Sequence, residues 1–362
     1  MRLLLQRNDI SPNWRSKEGK TPLYRAASEG HEGVVKLLLE RKDVDPNRPN
    51  NRDQRPLECA VVKGHEEVVR LLLSREDIDP NCPSFQGRTA LGMAAAIGKE
   101  RVVKTLLEWI DAGPNCPENQ HNEAFICAAG FGQEGVVRIL LGHRDVNPNY
   151  SDEGDRTPLW HASAGGHAGV VKLLLERGDI DPNRPDVNGR TPLACATVEG
   201  HERVVKLFLQ HGDVDPNYPD KENRTPLWCA SVNGHEAVVK LLLERGDVDP
   251  NRPDVKGLTP LVCAALKKRV GMVKLFLERE DIHLDFGDNI DRAPPGSSNM
   301  ASASIKRKRS TGGDGAEERA KRTREEEETE EVGGRDEEGS NEEGKEGGGS
   351  GGGPKDESMG NS

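Results

Sequence analysis

The chain has 362 residues and a net charge of −11, with 33% hydrophobic and only 4% aromatic residues. So little apolar material excludes several compact cores and favours a thin architecture, or a folded part joined to a disordered one. The acidic balance works against nucleic acid as a partner, because phosphate binding depends on many Lys and Arg contacts. No run is apolar enough to cross a membrane. The first apolar stretch, Leu3–Leu5, falls short of the ~7–15 residues of a signal-peptide core. An odd count of seven cysteines fits a reducing, intracellular setting.

Residues 1–20 come first as an incomplete unit. LLLQRNDISPN at 3–13 matches the second half of a motif that recurs later, as at 37–47. It reads either as the continuation of a longer array or as an N-terminal cap. From Thr21 the period is strict. Thr21, Arg55, Thr89, Glu123, Thr157, Thr191, Thr225 and Thr259 open eight units of 34 residues, filling 21–292.

The unit at 191 shows the local logic. Thr191 suits an N-cap, Pro192 costs nothing at the first helical position, and LACATV continues a short helix that Gly200 stops. A second helix, HERVVKLFLQ, carries a broad apolar face, and the Asp-, Pro- and Asn-rich DVDPNYPDKENR turns the chain into a hairpin. A helix pair this short buries its apolar face only by stacking on copies of itself. The fold class is therefore an all-α repeat solenoid of stacked helix-turn-helix units with hairpin loops.

The residues that recur resemble the ankyrin repeat. They are Thr-Pro-Leu at 157–159, 191–193 and 225–227, and Gly-His before Val-Val-x-Leu at 30–31, 64–65, 166–167, 200–201 and 234–235. The resemblance covers residues 1–292. The near-identity of the units is similar to fungal arrays, some of which end nucleotide-binding, STAND-type receptors. It implies a partner protein held on the side formed by hairpin tips, the exposed part of the first helix and its following turn. By register that side offers Phe85, Ile97, Phe131, Asp186, Val187, Val232 and Asn233. Units 3 and 4 depart most from the pattern, with Ala90, Gly98-Lys99 and Trp109-Ile110 in one and Glu123-Ala124-Phe125 and Gly132-Gln133 in the other. They are either drifted copies or a specialised contact zone.

Other motifs fail on context. GFGQEG at 130–135 fits a dinucleotide pattern but lies in a helix–helix turn rather than after a strand. DVDPN lacks the Gly and distal Glu of a calcium loop. Cys59, Cys127, Cys195, Cys229 and Cys263 share one slot. A spacing of about 8–10 Å between neighbouring repeats is too long for disulfides or a common zinc ion. No catalytic set breaks the repeat, so no enzyme activity, cofactor or metal is expected.

Residues 293–362 hold no aromatic residue, 15 glycines, 17 acidic and 11 basic residues, a composition expected to stay disordered. Within them Lys306, Arg307, Lys308 and Arg309, then Lys321 and Arg322 after an 11-residue gap, resemble a bipartite nuclear localisation signal. The expected function is a protein-binding scaffold or adaptor, nuclear or nucleocytoplasmic, with an import receptor as a second partner. The alternative is the sensor part of a larger nucleotide-binding receptor.

Overall fold

A computed structural model of the chain describes residues 11–84, 87–112 and 119–283. Among these residues there are sixteen helices and no strand. They form eight pairs: α1 Pro22–Ser28 with α2 Glu32–Leu39, α3 Pro56–Lys63 with α4 Glu66–Leu73, α5 Ala90–Ile97 with α6 Glu100–Ala112, and α7 Gln120–Gly130 with α8 Glu134–Leu141. The series continues with α9 Pro158–Ala164 and α10 Ala168–Leu175, α11 Pro192–Glu199 and α12 Glu202–Gln210, α13 Pro226–Asn233 and α14 Glu236–Leu243, then α15 Pro260–Leu266 and α16 Val270–Leu277. First helices pack on first helices of the adjacent pairs and second on second.

The helix starts follow from the Thr-Pro pair. Thr191 Oγ1 accepts the Ala194 N–H at 3.2 Å, and Thr21 and Thr157 cap in the same way at 3.1 Å. Where Arg55 takes the slot, the Glu58 carboxylate accepts the Arg55 N–H at 3.2 Å instead. Gly200 ends α11 in the left-handed region, at φ 77°. The core is the repeated small and branched set: Leu193 and Ala196 from α11, and Val204, Val205 and Phe208 from α12, all fully or almost fully buried. Burying a Leu or Val of this kind contributes about 1.5–3 kcal/mol.

Three sets of cross-repeat bonds hold neighbours in register. The Gly-His turn is the first. His65, His167, His201 and His235 place Nε2 on the carbonyls of Ser28, Gly130, Ala164 and Val198 of the preceding unit, at 2.8–3.1 Å. The same His ring lies over the Gly of that unit. A Cβ on Gly166, already at φ 73°, would sit 2.7 Å from His201 Nδ1. Gln133, which replaces His in the fourth unit, donates its Nε2 to Ala96 O at 3.1 Å.

The Asn of DPN is the second. Asn183 donates to Asp213 O at 2.6 Å and accepts the Asp215 N–H at 2.9 Å, while its own N–H closes an Asx turn on Asp181. Asn149, Asn217 and Asn251 do the same. Asn81 breaks the series, its buried Oδ1 having no partner.

The residue two before the Asp of that segment is the third. Arg75 Nη1 donates to Leu39 O at 3.1 Å and also grips Asp77. Trp109 Nε1 and His211 Nε2 reach Leu73 O and Leu175 O from the same slot.

The third and fourth units depart from this frame at their junction. α6 continues one turn beyond the Leu that ends most other second helices, and α7 starts about one turn earlier than other first helices. Gln120, His121 and Asn122 are therefore buried helical residues where other units have a hairpin tip. Asn122 Oδ1 accepts the Asn147 N–H at 2.7 Å. The expectation that this unit's helix opens at the Glu123 slot is corrected accordingly.

Candidate functional site

The residue that ends each first helix, or directly follows it, is exposed in every unit. It is Glu29, Lys63, Glu199, Asn233 and Lys267 in five of them and Gly165 in a sixth. In the third and fourth units the same slot holds Ile97 and Phe131, 42% and 50% exposed. They fall in adjacent repeats 34 residues apart. Val62, one residue earlier in the second unit, is 40% exposed. The Arg88 guanidinium lies 5.0 Å from the Phe131 ring centroid, a cation–π contact that leaves half of the aromatic surface open.

The other candidates fall differently. Phe85 lies outside the described residues, as do the basic residues Lys306–Arg309, Lys321 and Arg322. Val187 is exposed at a hairpin tip and donates its N–H to Gly154 O at 3.0 Å. Asn233 is exposed and donates to Cys229 O at 2.9 Å, while Val232 is half-buried. Asp186 is a correction. It is 7% exposed, and its Oδ1 accepts the N–H groups of Asn188 and Arg190, both at 2.8 Å. Its carboxylate closes the hairpin and offers no surface to a partner.

Sequence reasoning passed over the aromatic residues in the slot after Thr-Pro-Leu. Trp160 and Trp228 are half-buried, each with an Arg over its ring at 5.5 Å, Arg156 and Arg224 respectively. Trp228 Nε1 donates to Leu258 O of the next hairpin at 3.0 Å, whereas Trp160 Nε1 has no partner. Beside Trp160, Asp152 binds Arg156 and His161, both at 2.9 Å. Burial would raise the Asp152 carboxyl, but the Arg156 side chain and N–H, His161 and the Gly154 N–H together hold it down to about 2.

Cys195, Cys229 and Cys263 are buried free thiols, Cys59 and Cys127 half-buried ones. Burial pushes Cys229 and Cys263 up to about 12, which keeps them protonated and unreactive.

A second cluster was not anticipated, because only the cysteine slot and the DVDPN segment were weighed for metals. Asp111, His121 and His143 bring one carboxylate oxygen and two ring nitrogens within 4.8 Å of one another. The two imidazoles stack at 4.6 Å. Burial, with His143 alongside, lowers the affinity of His121 for a proton, against the pull of Asp111.

No helix among the described residues is long and apolar enough to cross a membrane. The comparisons with known proteins accord with the architecture. A family model described as ankyrin repeats in three copies matches residues 1–84, 76–152, 145–220 and 212–288. No curated protein matches the chain. With the model spanning the whole array and the eight stacked pairs in register, the chain belongs to the ankyrin-repeat family.

Proposed function

We propose that the chain is a protein-binding scaffold whose address lies in the third and fourth repeats. Ankyrin repeats are general protein–protein interaction modules. Near-identical units present the same side chains again and again, so specificity must come from the units that differ. The observation that carries the reading is the Ile97–Phe131 pair, exposed apolar residues in a slot that is polar or glycine in the six other units. Adjacent apolar side chains with a polar rim are what interface hot spots are built from. Phe85 belongs to the same proposal by register.

The test is affinity capture with the full chain, followed by binding measurements on the purified retained partner. Phe131→Ala is compared with Val187→Ala, both checked for parental circular dichroism. Truncating a hot-spot aromatic costs about 2 kcal/mol, roughly thirtyfold in affinity. Thirtyfold loss with Phe131→Ala alone supports the assignment. Loss only with Val187→Ala places the address in the hairpins.

The basic clusters of residues 306–309 and 321–322 belong to the same reading as an import signal that brings the scaffold to the nucleus.

A further inference from the structure

We infer that Asp111, His121 and His143 form a binding site for a divalent transition-metal ion, of which zinc is the best matched, at the junction of the third and fourth repeats. The argument begins with what the repeat normally does at these positions. In regular units the Asp at the Asp111 slot is held by an Arg two residues before it. Arg41–Asp43 at 2.7 Å is an example, and Arg75–Asp77, Arg177–Asp179 and Arg279–Asp281 repeat it. The third unit has Trp109 in the Arg position, and the indole turns back to Leu73 O. Asp111 thus lacks the usual Arg counter-ion.

The fourth unit supplies the nitrogens. His143 stands in that same Arg slot. His211, the other histidine there, caps Leu175 O of the preceding unit at 3.2 Å. His143 instead points Nε2 at Asp111 Oδ2, 3.1 Å away. His121 comes from the early turn of α7, where other units have a hairpin. It is 4% exposed, and its buried Nε2 has no hydrogen-bond partner. That atom faces Asp111 Oδ1 at 3.7 Å. A buried imidazole nitrogen left unpaired costs free energy, and an ion would satisfy it.

Ligands ~2.0–2.1 Å from a tetrahedral zinc are about 3.3 Å apart. His143 and His121 stand 3.1 and 3.7 Å from different oxygens of Asp111, and the three ligand atoms lie within 4.8 Å of one another, so the set closes inward to hold one ion. Turning the stacked rings about their Cβ–Cγ bonds would bring both lone pairs toward one point. Two imidazoles and one carboxylate suit zinc and its first-row neighbours rather than calcium or magnesium, which take oxygen ligands. Three protein ligands leave a fourth position for water or for a side chain from elsewhere. Because α6, the start of α7 and the segment after α8 each give one ligand, the ion ties the two irregular repeats together.

The experiment uses the full chain, stripped of metal with a chelator, and zinc chloride alone as the probe. Bound zinc is counted by elemental analysis, and melting is followed with and without it. Cobalt(II) replaces zinc to report the donor atoms by absorption. The expected result is one tight ion per chain, a higher melting temperature with zinc, and a cobalt spectrum without thiolate charge transfer. Asp111→Asn and His143→Gln alter groups that are only partly buried. Both should fold as the parent does without metal and lose at least ~100-fold in zinc affinity, since even losing an outer partner of a ligand costs 10–100-fold. His161→Gln, outside the cluster, should bind as the parent does. Zinc that fails to bind, binds both cluster variants as tightly as the parent, or brings a thiolate band with cobalt overturns the site.

Discussion

Replacing His201 tests how the stack is held together. His201 gives two cross-repeat interactions: its Nε2 serves Ala164 O at 2.9 Å, and its ring covers Gly166. His201→Ala removes a hydrogen bond with a net value of about 0.5–1.5 kcal/mol and leaves a partly buried carbonyl short of a donor. With the lost ring contact, the expected cost is roughly 2 kcal/mol. His201→Gln is the informative comparison, because Gln133 fills the equivalent slot with its own bond to Ala96 O. It should stay within about 1 kcal/mol of the parent, since only the ring contact changes. Gly166→Ala should destabilise through its left-handed backbone and through the clash with the ring. Combined with His201→Ala it should recover the steric part, giving a coupling larger than the ~0.5 kcal/mol expected of independent sites. Urea unfolding followed by far-ultraviolet circular dichroism measures all four. The whole curve must be used, because long repeat arrays can depart from two-state behaviour. A His201→Ala protein as stable as the parent would refute the reasoning, and so would a His201→Gln protein as weak as His201→Ala.

The other predictions concern charge. The folded Asp152 carboxyl, near 2, lies below its unfolded value of 3.8. It therefore contributes stability above the unfolded value, and that contribution fades as pH falls toward 2. At 1.36 kcal/mol per unit the contribution is at most about 2 kcal/mol near neutrality, reduced by solvent screening of the half-exposed Arg156. Asp152→Asn preserves the turn, as Asn50 does in its own hairpin. It should cost up to that amount at pH 7, and the deficit should shrink by pH 3, as read from urea midpoints across pH. A deficit that does not change with pH would show that the carboxylate's charge plays no part. In the tail, replacing Lys306, Arg307, Lys308 and Arg309 with Ala should shift a fluorescent fusion of the full chain toward the cytoplasm. Equal distribution of parent and variant would remove the import role.

Much of the fold could be read because it is written eight times. Thr-Pro fixed the helix starts, Gly-His the turns, and the alternation of small and branched residues the two helix layers. The cross-repeat bonds were hidden because their partners stand 30–37 residues apart, beyond the reach of any local pattern. Asp186 was read as surface because hairpin tips usually are. Its spacing to Asn188 and Arg190, the N–H groups it accepts, was the available sign that it is a clamp. The fourth repeat kept its period at Glu123 while its helix began at Gln120, so counting alone misplaced it. His121 and His143 fall outside the repeated Gly-His slot. That exception, beside a Trp where most units have Arg, was the signal for the cluster that repeat-wise reading averaged away. For Ile97 and Phe131 the reverse held, since comparing one slot across units was enough to mark them.

The central claim is that the third and fourth repeats carry the address. Hydrogen–deuterium exchange of the full chain, with and without the captured partner, tests it most directly. The account predicts added protection in the segments around Ile97 and Phe131, at the end of α5 and the α7–α8 turn, with the sixth to eighth repeats unchanged. Protection confined to the hairpins of those later repeats, or to residues beyond 293, would contradict it.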